Sequence, residues 1–128
     1  MKIIALVAVV GILLLQAADA IPLGSVGGSL TIGFAYLAAA LAVGVHEAWT
    51  AGRGLLGWIA NLFLSFFGAM AGANLGGFAL VIGLSAIFPA GRSIAATGGL
   101  VTSLALAGGM ACALLGAWAA LRLVNRWR

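Results

Sequence analysis

His46 and Glu47 are the adjacent side chains in this chain best suited to moving a proton. Histidine titrates near neutral pH, and ionisable groups within a membrane often mark proton or ion paths. On a helix the two side chains point about 100° apart, so they do not close on one ligand. There is no second histidine, and Glu47 is the sole acid nearby. Thr50 stands where the second histidine of a zinc-protease H-E-x-x-H motif belongs. His46 and Glu47 therefore read first as a helix end meeting a headgroup layer, and second as a titratable functional site.

The other polar groups lie inside apolar segments. Asn74 sits near the centre of one of them, and an amide there wants a partner. It reads either as an interhelical hydrogen bond or as a pore-lining or ligand-contacting group. Asn61 and Ser65, one turn apart, are expected to bond the backbone of a facing helix. Thr97, Thr102 and Ser103 are expected to bond carbonyls one turn back. Cys112 is the single cysteine, so it forms no internal disulfide or cysteine-based metal site and reads as a small packing residue. No nucleophile–base pair, phosphate-cradling loop or metal cluster is present in the sequence. The expectation is a non-enzyme with no catalytic, cofactor-binding or metal-binding residue.

The elements carrying these residues are set by composition. Of 128 residues, 65% are hydrophobic and 6% charged, with two acids, Asp19 and Glu47. A soluble domain carries about 25% charged residues. The apolar residues fall in long blocks, as membrane spans do. The formal net charge of +4 is not a nucleic-acid signal, because the basic residues lie at block ends without interleaved aromatics.

The first block, residues 3–20, reads in two ways. A basic start and Ala18-Asp19-Ala20 resemble a signal peptide with its cleavage site. The same stretch just spans a bilayer, and a retained helix is the favoured reading. Residues 21–29, IPLGSVGGS, are expected to be a turn-rich connector. A second span covers 30–45. Its small residues lie on two faces, Ala35, Ala38, Ala39 and Ala42 on one and Gly33, Ala40 and Gly44 on the other, so it is expected to have neighbours on both. The third block, 55–88, is 34 residues, about 51 Å as a straight helix against about 30 Å of hydrocarbon. It reads as one long helix, tilted or kinked near 72–77. The last span covers 94–124.

Two blocks carry strips of small residues. Asn61, Ser65, Gly68, Gly72, Gly76, Ala79 and Gly83 fall within about 80° of one helical face. Gly98, Thr102, Ala105, Gly109, Cys112, Ala113, Gly116 and Ala120 fall within about 100°. Small faces let helices approach closely in lipid, so these two strips are expected to pack as an antiparallel hairpin. With four spans and a cytoplasmic N-terminus, Lys2, Arg53, Arg122, Arg126 and Arg128 lie inside and Arg92 outside, which fits the positive-inside rule.

Known four-span families differ from this chain at telling positions. Small multidrug exporters carry a mid-membrane glutamate in their first helix, whereas the first helix here has only Gln16, near its end. The GGLVTSLAL stretch from Gly98 lacks the phenylalanines of small fluoride channels. GAMAGANLGG, from Gly68 to Gly77, resembles the glycine-zipper proteins of the transglycosylase-associated group. That resemblance spans about a tenth of the chain and implies close helix packing.

The sequence thus predicts an all-α integral membrane protein, a bundle of four transmembrane helices, or three if the first is cleaved. It is expected in a bacterial-type inner membrane, with the lipid bilayer, itself or other membrane subunits as partners and no nucleic acid. Its expected role is structural or accessory, through helix packing. The alternative is a small channel, transporter or holin-like pore.

Overall fold

The structure, a computed structural model, describes residues 1–20, 26–87 and 99–127. These residues form four helices and no strand: α1 (Lys2–Ala17), α2 (Val26–Thr50), α3 (Leu55–Ile87) and α4 (Gly99–Arg126). Three of them, α2, α3 and α4, are long and apolar enough to cross a membrane. The 16 residues of α1 reach about 24 Å, short of a hydrocarbon layer of about 30 Å.

Element boundaries differ from the sequence reading at two places. α2 begins at Val26, inside the expected connector, and Thr31 Oγ1 donates to the Gly27 carbonyl at 2.9 Å. Glycine breaks helices chiefly by entropy and exposure, and Gly28 is buried here. α2 also runs past Val45 through His46 and Glu47 to Thr50, so the polar stretch is the helix end itself. Gly52, with φ of 57°, then closes it. Its N–H bonds the Trp49 carbonyl and that of Arg53 bonds Ala48, the two bonds of a Schellman cap. Asp19, with φ of 52°, closes α1 in the same way through the Gln16 and Leu15 carbonyls. α3 passes unbroken through Gly72–Gly77.

The helices run alternately up and down. The Met1 α-amino nitrogen lies 3.5 Å from His46 Nε2, and Asn125 Nδ2 donates to Glu47 Oε1 at 3.1 Å. Both chain ends therefore sit beside the C-terminus of α2. At the opposite end Ser103 Oγ donates to Gln16 Oε1 at 3.0 Å, tying α1 to α4. α4 touches all three other helices, and α3 is its largest neighbour. Most of the buried apolar core accordingly belongs to α4: Leu106, Met110, Ala113, Leu114, Ala117 and Leu121. Ile12 of α1 seats into it at 1% exposure.

Candidate functional site

The contact between α3 and α4 is built from residues with little or no side chain. A Cβ placed on Gly68 would lie 2.5 Å from the Gly116 carbonyl oxygen and 3.0 Å from Ala117 Cα. On Gly72 it would strike the Cys112 carbonyl oxygen and lie 2.9 Å from Gly116 Cα. On Gly116 it would strike the Gly68 carbonyl oxygen, and on Gly76 the Cys112 side chain. A glycine hydrogen occupies each of these places, so Gly68, Gly72 and Gly116 point Cα–H groups at carbonyls of the facing helix. Such contacts add modestly to the dispersion attraction that drives packing in lipid.

The register is regular. Gly68, Gly72, Gly76 and Leu80 meet Ala120, Gly116, Cys112 and Gly108 in turn, four residues forward on α3 for four back on α4. Rows four residues apart on both helices belong to the packing class that crosses at about −40 to −50°. This row departs from the expected strips at three places. Ala79 and Gly83 are exposed, because the row turns toward Leu80 and away from them. On α4 the row passes through Gly108, not Gly109, whose added Cβ would strike the Tyr36 hydroxyl of α2. Ala105 is half-buried and, with Thr102, lines a crevice of about 280 Å³ beside Tyr36. Gly98, Thr97 and Arg92 lie outside the described residues.

Tyr36 carries no signal in the small-residue pattern, yet it joins α2 to α4 through its hydroxyl, which donates to the Leu106 carbonyl at 3.1 Å. α2 meets α3 through another four-residue row. Ser65 Oγ donates to the Ala40 carbonyl, and a Cβ on Gly44 would lie 3.1 Å from Ser65 Cβ. The two expected faces of α2 divide unequally: Ala39 and Ala40 are buried, whereas Gly33, Ala38 and Ala42 stay exposed.

Two amides depart from expectation. Asn61 is fully buried, but neither Nδ2 nor Oδ1 has a partner among the described residues. Asn74 is exposed and donates within its own helix, to the Met70 carbonyl at 2.7 Å, with no interhelical bond among the described residues. Thr50 Oγ1 bonds the His46 carbonyl at 2.9 Å. His46 and Glu47 address different neighbours, the N-terminus and Asn125. Among the described residues no three His, Cys, Asp or Glu side chains group to hold a metal.

The chemically richest region is the end of the molecule shared by α2's C-terminus, α3's N-terminus and α4's C-terminus. Trp49, Trp58, Trp118 and Trp127, all the tryptophans of the chain, belong to these helix ends, with Lys2, Arg53, Arg122 and Arg126 beside them. Trp49 and Trp58 meet edge to face at 6.4 Å across the α2–α3 turn. The Arg122 guanidinium lies 4.9 Å from the Trp118 ring centroid. No protein-family model, curated protein or solved structure matches the chain.

Proposed function

We propose that this chain is a small integral membrane protein that acts by helix packing, as a structural or accessory component or as a subunit of a membrane complex, without enzymatic activity. The observation that carries this reading is the pairing of close, small-residue helix contacts with large apolar side chains on the outer surface. Glycine, alanine and serine line the helix contacts, while Leu56, Phe67 and Phe78 stand 82%, 61% and 70% exposed. Such a surface suits hydrocarbon and would drive aggregation in water. In this reading α2, α3 and α4 span the bilayer, and α1 is retained as a fourth helix. The burial of Ile12 and the Ser103–Gln16 bond support retention. The membrane of this reading is a bacterial-type inner membrane, and tryptophan and arginine at one end support both termini being cytoplasmic.

The pore alternative needs a polar face continuous across the bilayer. Ser65, Tyr36 and Asn74 instead each bond a backbone carbonyl, which favours packing. The test is native mass and pull-down from gently solubilised membranes. A homo-oligomer or a co-purifying membrane subunit is the expected result. A lone monomer that conducts ions or transports solute in liposomes would replace this reading with the pore.

A further inference from the structure

A crevice of about 450 Å³ opens between the last turn of α2 and the final turns of α4. Its walls carry both signs of charge. Arg122 and Arg126 supply guanidinium groups, Glu47 a half-buried carboxylate, and Trp118 an aromatic wall beside Arg122. Neither arginine has a carboxylate partner among the described residues. Asn125 Nδ2 occupies Glu47 Oε1, while Asn125 Oδ1 is a buried acceptor without a donor. Two guanidinium groups and a carboxylate thus line one crevice. That pattern complements a ligand bearing a phosphate and, a short distance away, a cation with N–H groups. Guanidinium is suited to the phosphate through paired hydrogen bonds. The volume falls within the range of small-ligand pockets, about 300–1,000 Å³.

We propose that this crevice binds the phosphoethanolamine headgroup of a phospholipid, with the phosphate between Arg122 and Arg126 and the ammonium toward the Glu47 carboxylate. The assignment rests on the reading that these helices cross a bilayer, which sets this tryptophan- and arginine-rich end in the headgroup layer. Phosphatidylcholine carries the same charges but no N–H donor. Phosphatidylglycerol carries a phosphate and hydroxyls but no cation.

The test begins with alkaline carbonate extraction of membranes holding the full chain. Release into the supernatant overturns the membrane reading and the headgroup site together. The retained protein, purified in detergent, is then titrated with the three lipids at equal acyl length and bound lipid is counted by native mass spectrometry. Phosphatidylethanolamine is expected to bind about tenfold tighter than either other lipid, about 1.4 kcal/mol. The double variant Arg122→Ala, Arg126→Ala is expected to lose at least about tenfold of that affinity. Glu47→Gln is expected to abolish the preference over phosphatidylcholine. Lys2→Gln, at the same end but outside the crevice, should change neither. Equal affinity for the three lipids, or an equal loss in Lys2→Gln, overturns the site and leaves the membrane reading standing. Soluble phosphoethanolamine binding as tightly as the lipid overturns the lipid as occupant. If the double variant does not fold, the lipid selectivity of Glu47→Gln decides.

Discussion

Asn61 is the residue whose chemistry is least satisfied by its surroundings. It is fully buried, and its amide finds no hydrogen-bond partner among the described residues, although Ser65 one turn on reaches the Ala40 carbonyl. A buried unpaired amide costs about 1–3 kcal/mol, and an apolar replacement of similar shape removes that cost. Asn61→Leu is therefore expected to raise stability by about 1 kcal/mol or more, read from the unfolding midpoint in detergent. A lowered midpoint would mean that the amide has a partner. Tyr36 is the opposite case, since its hydroxyl holds the Leu106 carbonyl across the α2–α4 contact. Tyr36→Phe should cost about 1 kcal/mol in the same measurement. Neither effect was legible in the sequence. An amide's satisfaction depends on atoms from other helices, and a lone tyrosine in an apolar block has no pattern to betray its partner.

At the scale of elements, the glycines separate into those that hold helices together and those that do not. A Cβ on Gly72 meets backbone of α4, which cannot rotate away, whereas one on Gly33 or Gly83 meets nothing within 4 Å. Gly72→Ala should destabilise the protein by about 1–3 kcal/mol, the usual cost of overpacking, and Gly72→Leu by more. Gly83→Ala and Gly33→Ala should stay within about 0.5 kcal/mol of the parent. Equal melting of Gly72→Ala and Gly83→Ala would sink the assignment of the close contact. Gly109→Ala should cost less than Gly72→Ala, because the Tyr36 hydroxyl it meets ends a side chain that can swing aside. Gly52 is a separate case, since its φ of 57° closes α2. Gly52→Ala should cost about 1–2 kcal/mol through strain alone, with no change in helix association. The two small-residue strips were visible in sequence as faces. Which members of each face touch was not, because a face about 80–100° wide is compatible with several crossing angles.

For the molecule as a whole, the alternating helix directions put Met1, Glu47 and Asn125 at one end, so both termini lie on the same side of the bundle. Reporters fused to either terminus are expected to report the same compartment, the cytoplasm. Opposite signals would refute the four-helix arrangement, and a shared external signal would refute only the orientation. The sequence by itself determined the all-helical class, the apolar blocks long enough to cross a membrane and the small-residue faces. These follow from composition and a period of 3.6 residues, which are local properties of the chain. Tertiary structure alone decided that Gly108 and not Gly109 faces α3, that Ala79 and Gly83 are exposed, and that Asn61 has no partner among the described residues. It also decided that Glu47 meets Asn125 in the lining of a charged crevice. Each depends on the crossing angle and register between helices, set by the mutual fit of residues as many as 78 positions apart, which no single helix encodes.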